Sequence, residues 1–406
     1  MLKTNEPNKS IESIVSADKL LIVQDIDGVC IPLVKDPLTR EIDSSYIKAV
    51  NLMKEEFYVL TCGEHEGKRG VNRLIEKALG TNINPSTEGL YLPGLAACGI
   101  EYQDKYGKVS ILGLKDEEIN FLNNLPKLME DLLISKLTII FPSINSIKLK
   151  ELCKVAVCDT RFTPTLNLNE IFTLASKDLD LEIRLQLMMK EIMDELLQIA
   201  INSNLKDSFY LHMMPNLGKE NGEEVIKYAV KNDLGTTDIQ FIINGAVKEA
   251  GLLVLLNKYI YNINGVAPFG ESFNVRNAPK STDELLKLCL QRIPSEQMPL
   301  IVGVGDTVTS NRRESDQKWL RGGSDRGFLT LIFKLGIEYK KNNKIVFINS
   351  SNEEVKRPSI SYSNMNGVSD PEDILSFDTV ITGGPKEYIN WFKMLAKERS
   401  LRRSEE

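Results

Sequence analysis

Leu20-Leu21-Ile22-Val23-Gln24-Asp25-Ile26-Asp27-Gly28 is a short apolar run that ends in two carboxylates and a glycine. The run shows no polar face, so it reads as a strand buried on both sides, as in a parallel sheet. The pleat has a period of two, which puts Asp25 and Asp27 on one side of the strand end, and Gly28 lets the chain turn at once. One carboxylate of such a pair can attack phosphorus to form an aspartyl phosphate. A second, two residues on, can protonate the leaving oxygen and later activate water. Helix caps and turns use aspartates in the same way, so the pair needs support from elsewhere in the chain.

Three further apolar runs end alike. Phe57-Tyr58-Val59-Leu60 leads to Thr61-Cys62-Gly63, Leu300-Ile301-Val302-Gly303-Val304 to Gly305-Asp306-Thr307, and Ile345-Val346-Phe347-Ile348 to Asn349-Ser350-Ser351. Helical spacing is expected over 43–56 and 64–79. Strands alternating with helices predict an open α/β sheet whose ligand crevice lies outside the carboxyl strand ends. From about 105 to 244 the pattern changes, with long helices expected over 116–133 and 178–201 and strands over 137–141, 209–213 and 238–243. The second helix carries Leu185, Met188, Met189, Ile192, Leu196 and Ile199 as an apolar stripe that reads as core packing. This block reads as an α+β unit inserted between 1–104 and 245–406, which together form the sheet domain.

The composition restricts the chemistry. At 406 residues the chain is long enough for two domains of ~150 residues or somewhat more. Fifty Lys plus Arg against 56 Asp plus Glu give a net charge of −6, without the basic field that a nucleic-acid backbone needs. Six cysteines without a CxxC pair suit a reducing compartment. Two histidines, His65 and His212, nearly exclude a His-rich zinc site and leave few bases for a Ser/His or Cys/His triad. Carboxylates must therefore carry much of any chemistry. No apolar segment of the export or membrane-spanning kind is evident, so the expectation is a soluble, cytoplasmic protein that acts on a small molecule.

Thr61 offers a hydroxyl, and Gly63 beside it an exposed backbone N–H, to phosphate oxygens. Lys248 opens the apolar helical run 250–260, where a cation opposes the helix dipole and calls for an anion beside it. Asp306 closes its strand where it can share a magnesium ion with Asp25. In this chain order, Asp25-Ile26-Asp27-Gly28, Thr61, Lys248 and Gly305-Asp306 resemble the four motifs of the haloacid dehalogenase superfamily of phosphatases. Longer segments, among them Gly63-Glu64-His65, Gly67-Lys68-Arg69-Gly70-Val71, 88–97, Val247-Lys248-Glu249-Ala250-Gly251 and 303–310, are similar to a cyanobacterial family within it. That family dephosphorylates the phosphate ester of a glycosylated glycerol, a compatible solute made in salt stress.

The resemblance implies a Rossmann-like parallel-sheet core, with the inserted α+β unit acting as a C2-type cap. It implies Asp25 as nucleophile, Asp27 as general acid and base, and Thr61 with Lys248 as the phosphate clamp. Asp25, the Asp27 carbonyl and Asp306 would hold Mg2+, and a synthase that makes the sugar phosphate would be a functional partner. Related phosphatases of trehalose or sucrose phosphate, and a sugar-phosphate binding protein without turnover, are the competing readings. Many superfamily members carry a second Asp four residues after the first in the last motif, where this chain has Ser310. Either Ser310 holds a metal-bound water, or Asp325 in Gly322-Gly323-Ser324-Asp325-Arg326 folds back to replace the acid. Glu64, His65, Lys68 and Arg69 follow the Thr61 motif within reach of sugar or phosphate. Arg161 is a candidate for substrate contact from the inserted unit, or else a surface residue.

Overall fold

The computed structural model describes residues 7–175, 178–358, 360–361 and 364–405. The chain begins its sheet with β1 (Leu20–Gln24), β2 (Phe57–Leu60) and β3 (Gly94–Ala96), then adds a hairpin of β4 (Glu101–Gln103) and β5 (Val109–Ile111). It continues through β6 (Val157–Cys158), β7 (Thr165–Asn167) and β8 (Phe209–Met214), the hairpin of β9 (Asn216–Glu220) and β10 (Glu223–Ile226), and β11 (Asp238–Ile243). It then returns with β12 (Leu300–Gly305), the hairpin of β13 (Thr309–Arg312) and β14 (Trp319–Gly322), β15 (Lys344–Ile348) and β16 (Thr379–Ile381).

Eight strands form one sheet in the order β16-β15-β12-β1-β2-β3-β4-β5. Its first six members run parallel, and β4 runs antiparallel to both of its neighbours, β3 and β5. Each of the expected buried runs is a strand, and each is covered on both faces. Leu20 and Ile22 of β1 pack with Tyr46, Tyr388 and Phe392, whereas Leu21 and Val23 belong to the core that holds Leu252, Leu255 and Phe328. Phe392 is fully buried, and truncating such a side chain to alanine costs about 3–5 kcal/mol.

A second sheet, β6-β7-β11-β8, is wholly antiparallel. Helices Asp116–Ile140 and Leu179–Asn202 bury Leu125, Met129, Met189 and Ile192 in one core with Ile239 and Phe241 of β11. The Met stripe is thus packing. Asp178 caps the second helix by accepting from the Leu181 N–H at 3.2 Å.

Three expectations need correction. Residues 137–141 are not a strand: Leu137 repeats the helical spacing of Leu133 and Met129, all fully buried, and the helix runs on to Ile140. The helix expected from 64 starts only at Val71, because Gly67 holds φ +89° and Gly70 serves as the N-cap. The boundary drawn at 104/105 falls inside the β4–β5 hairpin, both strands of which belong to the large sheet.

Candidate active site

β1 carries its ladder one residue further, the Asp25 N–H donating to the Val304 carbonyl at 3.0 Å, and the chain then turns away. Asp25 is 7% exposed, and its Oδ1 accepts from the Ile26 N–H at 2.8 Å. Gly28 sits at φ +78°, where a Cβ would come within 2.1 Å of Asp306 Oδ2. Only glycine lets the loop after β1 press against the acid that ends β12.

Lys248 is the first residue of helix Lys248–Asn264 and is 3% exposed. Its Nζ lies 2.6 Å from Asp25 Oδ2 and 2.7 Å from Asp325 Oδ1. Asp325 is fully buried, and its Oδ2 accepts from the backbone N–H groups of Asp306 and Thr307, both at 3.0 Å. Asp306 accepts from the Ser350 hydroxyl at 2.7 Å and the Thr307 hydroxyl at 3.0 Å. Oxygens of Asp25, Asp306 and Asp325 all lie within 4.8 Å of one another.

Burial raises the Asp25 carboxyl well above its usual range, opposed by Lys248, and Asp325 and Asp306 push it the same way as burial. Asp306 is pushed up to about 7 by burial and by Asp325. For Lys248 burial works against the charge, but Asp25 and Asp325 more than reverse this and hold it cationic. Three acids around one ammonium leave an excess of negative charge in a dry site. An all-oxygen donor set of this kind suits a hard divalent cation such as magnesium.

Thr61 follows β2. Its N–H donates to the Leu95 carbonyl at 2.9 Å, and its hydroxyl oxygen accepts from the Gly63 N–H at 3.1 Å. The next residue, Cys62, is disulfide-bonded to Cys98, 36 residues later. The Cys98 N–H donates to the Thr61 carbonyl at 3.0 Å, so the bridge ties the ends of β2 and β3 beside the threonine. The bridge departs from the expectation that the cysteines suit a reducing compartment; the other four are free and buried.

A cleft of about 180 Å³ is lined by Asp25, Asp27, Thr61, Gly63, Glu64, Arg69 and Lys248, with residues of the second sheet opposite. The Asp27 carboxylate accepts from Arg40 Nη1 at 2.9 and 2.8 Å, and Arg40 Nη2 also reaches the Arg69 carbonyl. Glu64 accepts from the Arg161 N–H at 3.0 Å, and burial pushes its carboxyl up to about 7. Arg69 is 3% exposed and donates to Asp159 at 3.1 Å and to the Val157 carbonyl at 3.2 Å.

Four other candidates stand apart from the cleft lining. His65 is fully buried, with Nε2 at 3.2 Å from the Gly94 carbonyl, and burial lowers its pKa to about 4. Lys68 is exposed and pairs with Asp159 at 2.7 Å. The Arg161 guanidinium lies over the Phe162 ring, 4.8 Å from its centroid. Ser310 donates to Asp370, which also takes a bidentate pair from Arg321. Arg40 and Arg357 line the cleft without having been singled out in the sequence, and no local pattern marks either.

The strand end that carries Asp25, the buried Lys248 and the Gly305-Asp306 turn thus converge at the carboxyl edge of the parallel sheet, the arrangement that a phosphatase site requires. A family model described as glucosylglycerol-phosphate phosphatase matches residues 19–396. The chain belongs to that family. It is 41% identical over 402 residues to the glucosylglycerol-phosphate phosphatase of Synechocystis sp. PCC 6803, covering 96% of this chain and 95% of the relative. Among solved structures, the trehalose-6-phosphate phosphatase C-terminal domain of C. albicans aligns over 98% of both chains at 12% identity and TM-score 0.46. A trehalose-6-phosphate phosphatase of Aspergillus fumigatus aligns over 98% of this chain and 100% of its own at 9% identity and TM-score 0.41. At those values the structural likenesses add nothing to the family assignment.

Proposed function

We propose that the protein is a magnesium-dependent phosphatase that hydrolyses 2-O-glucosylglycerol 3-phosphate to glucosylglycerol and phosphate, in the making of an osmoprotectant. The observation that carries this reading is Lys248 Nζ held between Asp25 and Asp325 at the base of a cleft that also holds Thr61 and Asp27. Family membership supplies the substrate.

The Asp25 carboxylate attacks phosphorus, and the bond from phosphorus to the glycerol oxygen breaks. Asp27 gives its proton to that leaving oxygen. In the second half Asp27 takes a proton from the water that attacks the aspartyl phosphate, and inorganic phosphate leaves with Asp25 regenerated. Lys248 and the Thr61 hydroxyl hold phosphoryl oxygens as charge gathers on them. Arg40 orients Asp27. Asp25, the Asp27 carbonyl and Asp306 are the residues to hold Mg2+, which when bound neutralises phosphoryl charge and aligns the ester with the nucleophile. Asp325 has both oxygens committed to Lys248 and to backbone N–H groups, so it positions the lysine and the Gly305-Asp306 turn. Ser310 is committed to Asp370, away from the metal ligands.

The segment from about 114 to 244 serves as the cap, closing over the cleft to exclude water during attack on the ester. A synthase that joins the sugar to glycerol phosphate supplies the substrate, in the cytoplasm and without nucleic acid. No helix among the described residues is long and apolar enough to cross a membrane.

The test is phosphate release by the purified protein with magnesium from glucosylglycerol, trehalose and sucrose phosphates, beside an Asp25→Asn control. Rapid release from the first ester alone is expected. Faster release from trehalose or sucrose phosphate would reassign the substrate, and release no greater than that of the control would make the protein a binder.

A further inference from the structure

Thr165-Leu166-Asn167 and Asp238-Ile239-Gln240 alternate polar and apolar residues, and β7 and β11 pair them antiparallel, with Asn167 opposite Asp238 and Thr165 opposite Gln240. The pleat therefore puts four polar side chains on one face of the second sheet. Leu166 and Ile239, both fully buried, lie on the other face in its core. The polar face, extended by Asn169, lines the same cleft as Asp25, Thr61 and Lys248. It is a built surface: Thr165, Asn167, Asn169 and Gln240 are 4–7% exposed, and Asp238 is held by the Thr237 hydroxyl and the Asn167 amide.

Buried polar atoms are nearly always paired, because one left without a partner loses its bonds to water and gains none in return. Two on this face are not: Gln240 Oε1 and Asn169 Oδ1 have no hydrogen-bond partner. Arg69 Nη1, at the side of the cleft and equally buried, is an unused donor. Across the cleft from Asp25 and Lys248 this face presents amide oxygens, which lack a donor until a ligand brings one. A leaving group dense in hydroxyls satisfies both, whereas an aromatic or aliphatic one leaves them stranded.

We infer that Asn169 and Gln240 determine specificity, accepting hydrogen bonds from hydroxyl groups of the ester's leaving group, with Arg69 as the complementary donor. The inference rests on the phosphatase reading and adds which residues of the cap read the polyol. It separates recognition from chemistry, since neither amide lies among the groups that surround Asp25 and Lys248.

The experiment compares kcat/KM for 2-O-glucosylglycerol 3-phosphate with that for p-nitrophenyl phosphate, which has no hydroxyl to offer, in wild type, Gln240→Leu and Asn169→Leu. Each variant is expected to lose roughly 10–100-fold on the glycoside ester and no more than about threefold on the aryl ester. Gln240→Glu, which keeps an acceptor, is expected to retain more of the glycoside activity than Gln240→Leu. Equal losses on both substrates would make the amides structural and overturn the inference; so would no loss on either. If the wild type favours another glycosyl phosphate, the substrate proposed above fails while the ratio to the aryl ester still tests the amides. Titration calorimetry of the two esters into Asp25→Asn, with and without Gln240→Leu, reads the same contrast where turnover is absent: affinity for the glycoside ester should drop selectively, and an unchanged affinity overturns the inference.

Discussion

Asp325 lies 19 residues after Asp306, yet it is the group that fixes Lys248 against Asp25. Removing its charge leaves the lysine with one carboxylate and lets the ammonium settle closer to Asp25, which under the proposed mechanism then attacks less readily. Asp325→Asn is expected to lower kcat by roughly 100-fold or more with a smaller change in KM, measured by steady-state phosphate release. His65 carries a separate consequence. Its lowered pKa, about 4 against an ordinary 6.5, means the folded state takes up its proton later than the unfolded chain as pH falls. The stability it secures is complete above pH 6.5 and is lost as pH drops toward 4, on the order of 3 kcal/mol in all. Glu64 acts with opposite sign, since a carboxyl pushed up to about 7 favours the fold below pH 4.5 and ceases to do so as pH rises through 7. Urea unfolding of wild type and His65→Gln between pH 7 and 4 should therefore show a difference that shrinks as the pH falls. At this scale Asp25, Asp27, Thr61, Lys248 and Asp306 could be read from the sequence because each closes or opens an apolar run. Asp325 was one of two residues the sequence offered beside the last motif, whereas Arg40 and Arg357 could not be read, since they reach the cleft from segments with no periodic pattern. His65 lay beside the right motif but packs beneath it, which adjacency along the chain cannot distinguish.

Among the elements, the turn after β1 and the helix that starts with Lys248 place opposite demands on glycine. Gly28 and Gly265 share a positive φ, +78° and +72°, but a Cβ on Gly28 would strike Asp306 whereas one on Gly265 meets nothing within 4 Å. Gly28→Ala is expected to displace the acid and abolish measurable turnover. Gly265→Ala, at the C-terminal cap of the lysine's helix, should cost only about 1 kcal/mol in urea unfolding and keep its activity. Elements were legible where burial is two-sided, as in β1 and β12. The misreading of 137–141 as a strand shows the converse: Leu137 continues the helical stripe of Met129 and Leu133, yet a short β-branched run looks the same by composition. The Cys62–Cys98 bridge had no spacing cue, because β2 and β3 are neighbours only once the sheet is assembled.

For the molecule as a whole, the crowding of acids at the crevice sets the expected response to metal. A cation bound to Asp25 and Asp306 relieves their mutual repulsion only in the folded state, so magnesium should raise the thermal midpoint. The gain is about 2.7 kcal/mol at a free concentration 100 times the dissociation constant, followed by differential scanning fluorimetry. Chelation with EDTA should abolish phosphate release and cancel that gain, and Asp306→Ala should blunt both effects. The large parallel sheet was readable from its buried apolar runs, and the different, antiparallel character of the second sheet from the change in pattern between them. The limit near 105 was misplaced because the β4–β5 hairpin is antiparallel and short, unlike the strands that define the rest of the sheet.

β11 ends at Ile243 and the helix beginning with Lys248 follows after four residues, 244–247. That link is anchored twice, the Asn244 N–H donating to the Ser208 carbonyl at 2.8 Å and the Tyr210 hydroxyl to the Ala246 carbonyl at 2.9 Å. The strand that bears Gln240 and the helix that bears the ammonium are thus two arms of one taut lever. A link so short and twice held leaves that strand little room to shift without carrying the first turn of the helix along.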